Sequence, residues 1–235
     1  MLTLDQSKRA AMSSLASARQ SAYAFLSLAF TEPPSANVLD SIRHEDFLGS
    51  ASVLFGADTA APLCEYARSA EDEAELLHQA RREFMKLLKV PGAHYISPYE
   101  SVYRDTRDVA GKSVKGLLMG QSTVDVQKWY RLAALDLSGD IKEVPDHIGV
   151  ELNYLAHLCA KERQFASQGD EPKLTRAWEM ERDFLAAHVV RWIGLLRDKF
   201  YEKSKHLYFR AIADMAIEFT RRDLLTLEGL IGPSM

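Results

Sequence analysis

Apolar residues recur every three or four positions along most of this chain, in runs divided by Pro and Gly. Leu15, Ala18, Ala22, Phe25, Leu26 and Ala29 form one stripe, which Pro33-Pro34 ends. Leu76, Leu77, Phe84, Leu87 and Leu88 form another, behind an acidic start at Glu71-Asp72-Glu73 that complements a helix dipole. Ser122-Thr123-Val124-Asp125 offers a cap before Trp129, Leu132 and Leu135, and Gly139 is placed to end that helix. Asp146 is placed to cap a helix carrying Ile148, Leu152, Leu155 and Cys159. Pro172 opens a long helix with Trp178, Phe184, Leu185, Val189, Trp192, Leu195 and Leu196 facing inward. A final helix carries Leu207, Ile212, Met215, Phe219 and Leu224. Residues 38–70 read as two short helices. No run alternates as a half-buried strand does. The sequence therefore predicts an all-α bundle of roughly eight to ten helices.

Length and composition agree. The 235 residues are 47% hydrophobic and 26% charged, enough to bury a substantial core. No linker, repeat or low-complexity tract divides them, so one domain is expected over residues 1–235. The net charge is −4, with both signs interspersed and no basic stripe, which argues against a nucleic-acid partner. No apolar run reaches the roughly 18 residues of a membrane span. The Ala22 to Phe30 run is short and reads as core helix, not as a signal peptide. Cys64 and Cys159 stand far apart, outside any CxxC pair, and read as small buried hydrophobes in a reducing compartment. A cytoplasmic location is expected.

Two loops interrupt the helices. One is Val90 to Pro98, leading into Tyr99-Glu100-Ser101-Val102-Tyr103; the other spans roughly Thr106 to Gly120. Tyr95, Tyr99 and Tyr103 are spaced at i, i+4, i+8. Pro98 between them places a helix start there, with Tyr99 and Tyr103 one turn apart. These tyrosines suit either core packing or the wall of a groove. In Glu143-Val144-Pro145-Asp146-His147 a Pro, acids and a His meet at a helix start. One reading is a cap with Asp146 as acceptor; the other is an anchor for a basic ligand built from Glu143, Asp146 and Glu100. Arg81-Arg82-Glu83-Phe84-Met85-Lys86 resembles a twin-arginine export signal, but lies inside an amphipathic helix.

Signals for enzymatic chemistry are sparse. Glu75-Leu76-Leu77-His78 is a single Glu-x-x-His motif, where a di-iron carboxylate bundle needs two. His147 and Glu151 sit one turn apart, without HExxH. No nucleophile elbow, P-loop or dinucleotide fingerprint occurs. A metal-binding carboxylate-bundle enzyme and a general helical adaptor remain alternative readings.

Three stretches, in order, resemble the TorD/DmsD/NarJ-type chaperones of molybdoenzyme maturation. They are Glu83-Phe84-Met85-Lys86-Leu87-Leu88 leading through Pro91-Gly92 to Pro98-Tyr99-Glu100-Ser101-Val102-Tyr103; Glu143-Val144-Pro145-Asp146-His147 with Gly149-Val150-Glu151-Leu152; and Phe184-Leu185 with His188 and Trp192. The family's usual E-P-x-D-H is here E-V-P-D-H, with Pro one place later, closer to the nitrate-reductase-chaperone branch. The resemblance implies a TorD-like helical bundle and a cytoplasmic chaperone that is not an enzyme and carries no cofactor. It implies as partners the precursor catalytic subunit of a molybdopterin oxidoreductase and its twin-arginine leader, with no nucleic acid and no membrane insertion. The implied client-binding residues are Tyr99, Glu100, Tyr103, Glu143, Pro145, Asp146, His147 and Glu151. A monomer is expected, with dimerisation by helix exchange open.

Overall fold

The structure is a computed structural model that describes residues 6–69, 72–133 and 143–232. The first helix, α1 (Gln6–Thr31), packs along α8 (Ile148–Gln168), and α9 (Glu171–Ala187), α10 (Val189–Lys203) and α11 (Leu207–Ile231) close around them. Three short helices follow: α2 (Ala36–Arg43) packs on α3 (Glu45–Phe55) and α4 (Ala57–Ala67), and those two run beside α11. Then come α5 (Glu73–Phe84), a π-helical turn (Met85–Lys89), α6 (Glu100–Arg104) and α7 (Gln121–Leu132). Buried apolar side chains from Ala22 to Leu227 form one continuous core.

Local chemistry sets these boundaries. Pro33-Pro34 follows α1 as expected. The Asp72 carboxylate caps α5 at Ala74 N–H, 3.1 Å, and Asp170 caps α9 at Lys173 N–H, 3.2 Å. Gly169, at φ +69°, supplies the left-handed residue that ends α8. The π-turn buries two successive residues, Leu87 and Leu88, on one side. Helix α1 crosses α8 at Gly149, where a Cβ would lie 2.4 Å from Thr31 Cγ2. Ser27 Oγ fastens that crossing by donating to the Gly149 carbonyl at 2.7 Å.

The helical class holds, and four details differ from expectation. Eleven α-helices are present among the described residues, because residues 36–67 make three helices and the long helix from Pro172 divides at His188. His188 adopts φ −117°, ψ −86°, and its buried ring turns to Glu100. A small antiparallel hairpin, β1 (Thr106–Val109) with β2 (Lys112–Lys115), occupies the second loop. Ala110 and Gly111 both have positive φ there, as a two-residue hairpin turn requires. Finally, α7 begins after Gly120, and the distant Asp105 carboxylate accepts from Ser122 N–H at 2.8 Å. The expected helix end near Leu135 and Gly139, and Glu71, lie outside the described residues.

Candidate functional site

The first and second motifs meet through the main chain. Glu100 N–H donates to the Asp146 carbonyl at 2.9 Å, and Ile148 N–H to the Pro98 carbonyl at 2.8 Å. Asp146 Oδ2 accepts from Ser101 N–H at 2.9 Å. Asp146 therefore caps α6, 45 residues earlier in the chain, and not the helix that follows it. His147 caps that helix: its Nδ1 accepts from Gly149 N–H at 2.9 Å. The five-residue α6 begins at Glu100, with Tyr99 as its N-cap, rather than at Pro98. Tyr99 packs edge-on against His147, ring centroids 5.3 Å apart.

Below this junction lies a buried polar cluster. Glu100, Asp146, His147 and Glu151 are all within 1% of full burial. Glu100 Oε2 is 2.9 Å from His188 Nδ1, and its other oxygen takes Arg104. Glu151 Oε2 accepts from Trp192 Nε1 at 3.1 Å. Burial, and then the Glu100 carboxylate within hydrogen-bonding reach, push Glu151 well above the usual carboxylate range. Burial likewise drives His147 down to about 4, against the opposing pull of Glu143. The neutral ring is the form that accepts from Gly149. Asp146 Oδ1, Glu151 Oε1 and Ser101 Oγ have no hydrogen-bond partner.

Above the junction the side chains reach solvent. Tyr99 hydroxyl donates to Glu143 Oε2 at 3.1 Å, and Lys89 Nζ lies 2.6 Å from Glu143 Oε1. Burial raises Glu143, but the hydrogen bond and charge of Lys89, with the hydrogen bond from Tyr99, outweigh it, so its carboxyl falls below the ordinary value. Pro145 is half-buried, and its carbonyl accepts from Tyr130 at 2.8 Å. Tyr103 stacks on Trp192, centroids 5.4 Å apart, and its hydroxyl donates to the Ser97 carbonyl. Tyr103 thus belongs more to the core than to the rim. Glu143 and Lys89 form one end of a groove of about 580 Å³ between the last turns of α1 and the first of α8, lined also by Leu28, Thr31, Glu32 and Val150.

The eight residues singled out from sequence divide accordingly. Glu143 lines the groove, with half-buried Tyr99 and Pro145 beside it; Glu100, Asp146, His147 and Glu151 are buried beneath, and Tyr103 packs on Trp192. Lys89 and Glu32 were not singled out; no spacing in the sequence places them beside Glu143. Glu75 and His78 are exposed on α5, and Glu75 takes Gln79 instead. The paired Arg81 and Arg82 lie on that helix too, with Phe84 buried, as the amphipathic pattern implied.

A second buried polar cluster was missed by sequence reasoning. Arg19 on α1 pairs with Glu162 on α8, Glu181 on α9 and Asp223 on α11, and Tyr23 hydroxyl donates to Asp223 at 2.5 Å. Trp178 Nε1 donates to Glu162 at 2.7 Å. Cys159, Glu162 and Glu181 have metal-ligand spacing, the only such group found among the described residues, but the Arg19 guanidinium holds both carboxylates. No helix among the described residues is long and apolar enough to cross a membrane.

Comparison with known proteins adds a direct finding. The profile of the family described as nitrate reductase delta subunit matches residues 55–198. The chain is 26% identical to the chaperone protein TorD of Shewanella pealeana over 216 residues, covering 89% of this chain and 90% of that protein. It is 32% identical over 96 residues to the selenate reductase assembly chaperone protein of Thauera selenatis, covering 37% of this chain and 49% of the relative. A solved redox enzyme maturation protein from Archaeoglobus fulgidus aligns with 89% of this chain and 93% of its own, at 18% identity and a TM-score of 0.42.

Proposed function

The chain belongs to the nitrate reductase delta subunit family, and from that premise we propose that it is a molybdoenzyme maturation chaperone, acting in the cytoplasm as a single domain. It binds the catalytic subunit of a molybdopterin oxidoreductase and its twin-arginine leader, and it performs no catalysis itself. The relatives named above are chaperones and assembly proteins, which supports this class.

One observation carries the site. The motifs at 98–101 and 143–148 are fastened together over a buried cluster, and the fastened edge presents Glu143, held by the Tyr99 hydroxyl, to an open groove. Carboxylates beside an apolar channel suit a peptide whose arginines precede an apolar stretch. The buried acids hold the loop; Glu143 meets the cation.

Capture of the tagged chain from its own cytoplasm, with mass spectrometry of what accompanies it, tests the class. Recovery of a molybdopterin-enzyme catalytic subunit in precursor form is the expected result. Its absence from cells that express the enzyme overturns the reading. Calorimetry with the leader peptide tests the site. Glu143→Gln is expected to weaken binding about tenfold, the equivalent of about 1.4 kcal/mol. Unchanged affinity removes Glu143 from the site.

A further inference from the structure

The cation that Glu143 is built to meet is already supplied from within the chain. We propose that Lys89 is an internal ligand of the groove: its ammonium holds Glu143 until an arginine of the client segment displaces it. This rests on the proposed chaperone function and adds a built-in competitor to that site.

Charge and geometry support the exchange. Two acids line the groove, Glu32 and Glu143. Glu32 is exposed and forms no ion pair among the described residues, whereas Glu143 is fully engaged, by Lys89 at Oε1 and Tyr99 at Oε2. The remaining lining is neutral, with Leu28, Thr31 and Val150 offering apolar surface. The groove therefore has one free carboxylate and one masked by a lysine, together suited to two cationic side chains followed by an apolar run.

The mask is weakly held. Lys89 and Glu143 side chains are 31% and 25% exposed, so water and salt compete for the pair. Lys89 Nζ also lies 5.8 Å from the Phe84 ring, a second contact for the ammonium. An ammonium is a point charge, whereas a guanidinium presents a planar fork of donors, so arginine gains geometry that Lys89 lacks. Lys89 is the last residue of the π-turn and precedes the exposed Val90-Pro91-Gly92 loop, so its side chain has solvent to move into.

The test uses the full chain and two synthetic peptides, one with adjacent arginines ahead of an apolar stretch and one with both arginines replaced by alanine. Calorimetry compares the wild type, Lys89→Gln, Glu143→Gln and the double variant, with circular dichroism confirming the fold of each. Lys89→Gln is expected to tighten the arginine peptide by roughly two- to fivefold, and to leave the alanine peptide unchanged. In the Glu143→Gln background the same change is expected to have no effect, since nothing remains to unmask. Weaker or unchanged binding by Lys89→Gln, with Glu143→Gln still weakening it, overturns the internal ligand and leaves the groove reading standing. Binding indifferent to both substitutions, or no binding of either peptide, overturns both.

Discussion

The molecule holds two buried polar clusters, and they are built on opposite terms. In the first, Arg19 brings a permanent cation to three carboxylates contributed by three other helices. The acids outnumber it, and burial raises both Glu162 and Glu181. In the second, Glu100 and Glu151 face each other with no fully buried lysine or arginine between them; Arg104, which pairs with Glu100, is about one-third exposed. Burial and the neighbouring Glu100 carboxylate raise Glu151 there, with no central guanidinium to set against them. The Arg19 cluster ties helices together at the centre of the bundle. The Glu100–Glu151 cluster ties two loops together beneath a groove and leaves three polar atoms without partners, against one, Glu181 Oε1, in the Arg19 cluster. The first cluster clamps helices of the fold; the second fastens two loops beside a groove.

Breaking the first cluster should therefore be the costlier change. Arg19→Met leaves buried carboxylates without their cation and is expected to destabilise the protein by about 3–5 kcal/mol. Urea unfolding measures this; a loss below about 1 kcal/mol would show that the pairs contribute little beyond their desolvation.

The second cluster should yield in graded fashion. Asp146→Ala removes the acceptor from Ser101 N–H and is expected to cost about 1–2 kcal/mol in the same assay. It should also weaken client binding, because the loop carrying Glu143 loses its tie. Asp146→Asn retains an acceptor and relieves negative charge near Glu100 and Glu151, so it should restore most of both. An asparagine variant as impaired as the alanine would show that the charge, not the tie, matters.

The smallest effect concerns pH. The fold keeps His147 neutral down to about 4, whereas an unfolded histidine titrates near 6.5. The unfolded chain therefore takes up a proton that the fold refuses, and stability is lost as pH falls below 6.5. His147→Asn retains a capping acceptor without that titration. Between about pH 7.5 and about pH 6, the wild type should lose on the order of 1 kcal/mol or less relative to this variant. Parallel stability curves would exclude His147 as the source.

The sequence disclosed the helical class because apolar spacing is a local property, written within each helix. It placed the motifs at 98–103 and 143–151 but not their division of labour. Asp146 stands directly before α8, so adjacency pointed to that helix, whereas the fold delivers its carboxylate to α6. The break at His188 has no Pro or Gly to announce it, and the partner of its ring there is Glu100, 88 residues away. The Arg19 cluster did leave a trace. Arg19 lies three residues after Ala16 and three before Ala22, Glu181 three before Phe184, and Asp223 four after Phe219, all at buried spacing. One positive and several negative charges at core positions of separate helices ask for one another, but nothing local says that they meet across as many as 204 residues.

The π-turn at Met85–Lys89 gives Lys89 a meaning beyond its charge. Such a turn accommodates one residue more than regular α-helical bonding would. Each residue of an α-helix advances the side chains by about 100°. Deleting one residue from this turn would keep every residue type at the groove and yet swing the ammonium about a quarter of a circle away from Glu143. The contact is thus encoded by counting as much as by chemistry, and a comparison of residue types alone would not register its loss.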